Sequence, residues 1–193
     1  MTDEELVRKC VSKEPAAQKL LFDRFSRKMM GVCLRYADRS EEAEDMLQNG
    51  FIRIFDKIDT FRNTGSLEGW IRKIIVNESL TYLRKNKIMK LNMDIEDVKY
   101  MMPSSSHVGE SINEQDLLKM IQQLPPGFRT VFNMYAIEGY SHKEIADQLG
   151  ISEGTSKSQY SRAKVHLQNM LKAESSLTEL ASDKKLSRRT AIT

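Results

Sequence analysis

The sequence predicts an all-α protein of two helical domains joined by a short acidic linker, the second domain carrying a helix-turn-helix. Three observations support this. Apolar residues recur at three- and four-residue spacing along most of the chain, and period-two strand patterns are nearly absent. Glycine and proline are sparse, nine and four in 193 residues, which favours helices over sandwiches or barrels. Between 91 and 111 the periodicity lapses, as MDIEDVKYMMPSSSHVGES brings acidic residues, Pro103, three serines and Gly109. Domains are therefore expected at 1–90 and 112–173, with a linker at 91–111 and a disordered tail at 174–193 that lacks a core.

A first helix is expected over 3–13, with Leu6, Val7, Cys10 and Val11 inward, broken by Lys13-Glu14-Pro15. From Ala16 to Ala37 the residues Leu20, Leu21, Phe25, Met29, Val32, Cys33 and Tyr36 mark a long amphipathic helix. Asp38-Arg39-Ser40 is a turn, with Ser40 as the cap of a helix over 41–58. Ala43, Met46, Leu47, Phe51, Ile54, Phe55 and Ile58 face its core side, and Glu42, Asp45, Gln48, Asn49 and Arg53 the other. Phe61 to Gly69 is a loop with the turn cluster Asn63-Thr64-Gly65-Ser66. Ser66 then caps a helix over 67–87 whose apolar side is Trp70, Ile71, Ile74, Ile75, Leu80 and Leu83.

In the second domain, Ile112 to Leu124 is a helix with Leu117, Leu118, Met120, Ile121 and Leu124 inward, ended by Pro125-Pro126-Gly127. Phe128 to Glu138 follows, with Val131, Phe132 and Tyr135 inward. Ser141 and Glu144 form a capping box ahead of Ile145, Ala146 and Leu149. Gly150 stops that helix in a left-handed conformation, and Ser152 caps the next. The last helix places Tyr160, Ala163, Leu167 and Leu171 inward and Lys157, Ser158, Gln159, Ser161, Arg162, Lys164 and His166 outward. Two helices joined by a short glycine turn, the second with a basic and hydroxylated outer face, are the pattern that enters a DNA major groove.

Charge is unevenly spread. Residues 61–90 hold seven Lys or Arg against two Glu, whereas 91–120 hold two Lys against six Asp or Glu. This argues for a localised nucleic-acid surface, although the formal net charge is only +3. Phe61, Arg62, Trp70, Arg72, Lys73, Tyr82 and Arg84 interleave bases with aromatics, so phosphate neutralisation and base stacking fall in one segment. Cys10 and Cys33 lack metal-ligand spacing and read as small apolar residues in a reducing cytosol, and His107, His142 and His166 are scattered. No metal or cofactor site is expected, and no phosphate-loop, nucleophile-elbow, zinc-protease or dinucleotide motif is present in the sequence. No apolar run approaches the length of a membrane span, and the acidic start is unlike a signal peptide.

Three segments resemble the extracytoplasmic-function class of bacterial RNA polymerase sigma factors. They are SEEAEDMLQNGFIRIFDKIDTF (40–61), GSLEGWIRKIIVNESLTYLRK (65–85) and LPPGFRTVFNMYAIEGYSHKEIADQLGISEGTSKSQYSRAK (124–164). The resemblance implies a cytoplasmic promoter-specificity subunit with no activity of its own. Its partners would be core RNA polymerase, promoter DNA and an anti-sigma factor, commonly membrane-spanning, with no small-molecule substrate. It makes Asp45, Gln48 and Asn49 contacts to core polymerase, with Asn49 departing from the acidic residue usual there. It makes the second segment, with the loop from Phe61 to Ser66, the reader of the −10 element, through Phe61, Arg62, Trp70, Arg72, Lys73, Asn77, Arg84 and Lys85. Thr81 stands where the family usually has an aspartate. The third segment becomes the −35 reader through Lys157, Ser158, Gln159, Ser161 and Arg162, with Ser156, Gln159 and Tyr160 replacing the commoner Val, Arg and Leu. A stand-alone helix-turn-helix regulator accounts for 112–171 equally well, but not for Asp45, Gln48 and the basic segment at 61–87. A helical nucleic-acid enzyme would need a metal or nucleotide cluster.

Overall fold

The computed structural model describes the backbone of residues 1–86 and 114–190, with side chains described at 1–86 and 116–173. The linker expected over 91–111 lies outside the described residues. All regular structure in the described residues is helical: α1 (Asp3–Val11), α2 (Pro15–Leu34), α3 (Ser40–Lys57), α4 (Leu67–Lys85), α5 (Glu114–Gln123), α6 (Pro126–Phe132), α7 (His142–Leu149) and α8 (Glu153–Thr190). A 3-10 turn, Ile58–Thr60, follows α3, and a π-helical turn, Asn133–Ile137, follows α6. The chain divides into two compact units, Met1–Lys90 and Leu91–Thr193.

In the first unit α2, α3 and α4 pack on one another, and α1 lies against α2 and the 3-10 turn. Leu21, Met29 and Cys33 of α2, Met46 and Ile54 of α3, and Ile71, Ile75 and Leu80 of α4 are essentially inaccessible to solvent. Burial pushes the Cys33 thiol up to about 12, so it is an inert apolar group. Leu20 and Val11, expected inward, are exposed: the buried stripe of α2 runs through Ala17, Leu21 and Phe25 and leaves Leu20 beside it, and that of α1 ends at Cys10. Ser40 is not the cap of α3. Arg39 holds that position, and the nearly buried Glu42 reaches back to accept from the Asp38 amide at 3.0 Å and from Arg39 at 3.2 Å. The Glu42 carboxylate ties down the residues leading into the helix and lies in its first turn, where negative charge suits the helix dipole. Ser66 does cap α4, accepting from the Gly69 amide at 3.0 Å.

In the second unit Met120, Leu124, Phe128, Ala163 and Leu167 form a core shared by α5, α6 and α8. Arg129, at 1% exposure, donates from Nη1 to the Gln122 carbonyl at 2.9 Å, placing a cation on the C-terminal end of α5. Leu117, expected inward, is exposed. Ser141 and Glu144 form the expected capping box, and Gly150 is left-handed at φ 69°. Ser152 accepts from the Thr155 amide at 2.9 Å and so starts α8. Helix α8 runs on to Thr190, although the sequence reading has a disordered tail begin at 174. No glycine or proline follows Gly154, so nothing local stops the helix once begun.

Candidate nucleic-acid interface

Three surfaces can be built from these elements. The first is the outer side of α3. Its apolar stripe is buried, which leaves Asp45, Gln48 and Asn49 exposed in line. Ile52, the next position along, is 58% exposed, a large apolar side chain within a polar face. Sequence reasoning missed Ile52, which it left out of both the apolar and the polar stripe of this helix.

The second surface lies between α3 and α4. Arg53, Lys57, Ile74, Asn77, Glu78 and Thr81 line a cleft of about 250 Å³. Asn49, Ile52, Arg53, Asp56, Glu78, Tyr82 and Lys85 line a neighbouring one of about 310 Å³. The two share Arg53 and Glu78, which are ion-paired at 3.3 Å. Asn77 is exposed at the cleft, beside two cations, a carboxylate paired with one of them, a hydroxyl and one apolar side chain. The Thr81 hydroxyl donates to the Asn77 carbonyl at 2.9 Å, and Arg84 folds back on its own helix, onto Leu80 and Thr81. Asn49 and Lys85, assigned by sequence to different surfaces, line one cleft. Arg53 and Lys57 are functional candidates that the sequence analysis did not include. Their signal was a pair of cations four apart on the polar side of α3.

Phe61 and Trp70 pack ring against ring at 5.6 Å, each half-buried, which gives an aromatic surface at the start of α4. Arg62 and Lys73 are exposed beside it and Arg72 is half-buried. Asn63 holds a left-handed backbone at φ 54°, which an asparagine tolerates and which turns the loop 61–66 sharply.

The third surface is the start of α8. Lys157, Ser158 and Ser161 are exposed and Arg162 is half-buried. Lys157 pairs with Glu153 at 2.7 Å, and that ammonium holds the Glu153 carboxyl below its ordinary value. Ser158 donates its hydroxyl to the Thr155 carbonyl at 2.9 Å. Gln159 does not belong to this surface: it is 5% exposed, and its amide lies against Gly127 of α6, where a Cβ would stand 3.6 Å from Nε2. The buried stripe of α8 is Ser156, Gln159, Ala163 and Leu167, spaced at three and four residues, so Gln159 faces α6 and cannot reach a base edge. His166 is also not outward; it is half-buried with its ring 5.7 Å from Phe128. Tyr135, expected inward, is 39% exposed and stacks on His142 at 4.2 Å.

Among the described residues there is no cluster of three or more His, Cys, Asp or Glu able to hold a metal, and no helix long and apolar enough to cross a membrane.

Comparison with known proteins gives two family matches. Residues 21–88 match Sigma-70 region 2, and residues 114–167 match Sigma-70, region 4. The first covers α3, α4 and both clefts, which a stand-alone helix-turn-helix regulator would not require. An ECF RNA polymerase sigma-E factor of Haemophilus influenzae is 26% identical over 182 residues, covering 89% of this chain and 96% of that protein. The ECF RNA polymerase sigma factor SigM of Mycobacterium tuberculosis is 29% identical over 170 residues, covering 88% and 85%. Among solved structures, a sigma factor of Bartonella quintana in complex with an anti-sigma factor is 25% identical, with a TM-score of 0.49 over 80% of this chain and 96% of that one.

Proposed function

The chain belongs to the extracytoplasmic-function class of bacterial RNA polymerase sigma factors, and from that membership we propose how its three surfaces divide the work. As a sigma factor it binds core RNA polymerase and directs transcription initiation at promoter DNA. The exposed side of α3, with Asp45, Gln48 and Asn49, docks on core polymerase. The aromatic pair Phe61 and Trp70, the bases Arg62, Arg72, Lys73, Arg84 and Lys85, and Asn77 hold the −10 element. The cleft beside Asn77 receives a base turned out of the stack. Extruding a base costs a few kcal/mol, which hydrogen-bonding and cationic groups in a pocket offset. The start of α8 reads the −35 element through Arg162, while Lys157, Ser158 and Ser161 hold phosphates. The protein performs no chemistry of its own, works in the cytoplasm, and is held in check by an anti-sigma partner.

The observation that supports this most is the cleft itself, which gathers Asn77, Arg53, Lys57 and Thr81 at a junction of two helices matched to one family region. In vitro transcription with purified core enzyme on a randomised promoter library tests it. The expected result is enrichment of paired −10 and −35 sequences. Transcription that needs the chain but enriches only a −35-like sequence would remove the −10 role from the α3–α4 cleft.

A further inference from the structure

We propose that His142 is a positioning residue for −35 recognition: its hydrogen bond to the buried Ser156 and its stack on Tyr135 fix the rotation of α8, and with it the set of side chains turned toward DNA. This rests on the reading of α8 as the −35 helix.

The geometry is a closed ring of contacts. Ser156 is fully buried on the inner stripe of α8, and a buried hydroxyl needs a partner. That partner comes from the other helix of the pair: His142 Nδ1 lies 2.9 Å from Ser156 Oγ. The imidazole stacks on Tyr135 of the π turn at 4.2 Å and 12°. Tyr135 in turn meets Tyr160 of α8 at 4.5 Å, and Lys164 Nζ sits 4.9 Å over the Tyr160 ring. The path leaves α8 at Ser156 and returns to it at Tyr160, one helical turn later. Ser158, Ser161 and Arg162 project from the stretch gripped in this way. At a side-chain radius of about 6 Å, a 20° rotation of a helix moves a tip by about 2 Å. That exceeds the spread of good hydrogen-bond distances, so a bidentate base contact does not survive it.

An apolar contact at the same place would hold the helices together without specifying their rotation, because apolar packing is not directional. A hydrogen bond is directional, and inside a protein it favours one arrangement over near alternatives. The groups facing His142 are Lys157, Glu153 and Tyr160 from α8, Tyr135 from the π turn, and Lys143 and Glu144 beside it on α7. The imidazole is the first residue of α7, where a positive charge would oppose the helix dipole.

The experiment uses holoenzyme reconstituted from the full chain and core polymerase. Its probes are a promoter fragment carrying the −35 sequence that wild type selects from a randomised library, and the same fragment with that element scrambled. Binding preference is the affinity ratio of the two. Thermal stability of the chain is measured alongside for wild type, His142→Phe, Ser156→Ala, the double variant and His142→Asn. Each single variant is expected to lose about tenfold in preference, the size of one lost bidentate base contact. The double variant loses no more than either single, since both break the same bond. It regains stability, because removing both polar partners leaves nothing unsatisfied, yet it does not regain preference. His142→Asn, which keeps a hydrogen-bonding group near the Nδ1 position, retains most of it. Preference that follows stability across the series, or stays constant while stability falls, would overturn the proposal. A wild-type holoenzyme with no −35 preference would overturn the reading of α8 and the proposal with it.

Discussion

Replacing Gly50 with alanine probes the α3–α4 junction beside the cleft proposed to hold the −10 element. Gly50 is buried in the middle of α3, and a Cβ built there would stand 2.3 Å from Ile75 Cδ1 on α4. Ordinary carbon contacts lie at about 3.5–4.0 Å, so the methyl group must displace Ile75 by more than an ångström. Ile75 is itself 0% exposed and has no solvent to swing into. Overpacking of this kind costs about 1–3 kcal/mol, against about 1 kcal/mol gained from alanine's better helix propensity. The net expectation is a loss of up to about 2 kcal/mol. The sign should reverse in an Ile75→Val background. That change costs about 0.5–1.5 kcal/mol by itself but deletes Cδ1. The next atoms met are then at 3.5 and 3.7 Å, ordinary contacts, so Gly50→Ala gains its helix propensity without a clash. Trp70 is the single tryptophan and lies in the first unit, so its fluorescence reports the unfolding of that unit. A change of 1 kcal/mol shifts the midpoint of a domain this size by about 4–8 °C. If Gly50→Ala raises the midpoint equally in both backgrounds, α3 and α4 do not meet as closely as described, and the cleft built on their meeting falls with it.

Four further outcomes are expected. Asp45→Arg and Gln48→Ala each weaken binding to core polymerase by about tenfold, as for a central interface residue, with circular dichroism unchanged; equal retention on immobilised core would count against the docking face. Asn77→Ala slows promoter opening by about tenfold or more while leaving closed binding near wild type, read by permanganate reactivity, because a lost hydrogen bond to a buried group costs about 1–3 kcal/mol. Arg162→Ala relaxes −35 choice at one base pair by about 1–3 kcal/mol, whereas Lys157→Ala keeps the selected sequence and lowers the salt slope by about one; the Glu153 pair is expected to trim the loss for Lys157. The −35 preference depends on pH through His142, whose proton affinity is lowered by burial first and by Lys157 second, with Glu153 opposing. Since the folded state favours the neutral ring, its contribution is complete above about pH 6.5, the ordinary imidazole value, and fades as pH falls through the lower folded value. A profile as steep in His142→Asn as in wild type would assign that dependence to another group.

The helices were legible because their signals are local. The capping box at Ser141 and Glu144, the left-handed Gly150, and the cap at Ser66 each depend on residues within a turn of one another, and each forms as the spacing predicts. The polar sides of α3 and α4 were legible as faces. Their joint product, a cleft holding Asn77 with Arg53 and Lys57, was not, because it depends on how the two helices cross. The close approach of α4 is permitted at Gly50, which in sequence is one small residue within a strong amphipathic run. An interior glycine with no capping role is a signal of close approach by a neighbour, but it does not say which neighbour.

The start of α8 shows a different limit. Periodicity marks a stripe only when the stripe is apolar, and here Ser156 and Gln159 are its first two members. Assigning the stripe by apolarity moved its centre to Tyr160 and turned Gln159 outward, a rotation of about one residue. Tyr160 in fact sits at the edge, half-buried, where its ring joins Tyr135 and carries Lys164. Polar residues are placed on a core face only where partners await them. For Ser156 the partner is His142, fourteen residues earlier, and for Gln159 the neighbour is the bare backbone of Gly127. Both neighbours are invisible to a local pattern, because each depends on the packing of a different helix against α8. Only Gln159 was turned outward by the sequence reading, whereas Ser156 lies on the inner face as expected, and both positions meet neighbouring helices of the unit. Base choice at −35 is therefore expected to respond to substitutions at Ser156 and His142, which touch no DNA, as well as to those on the exposed face.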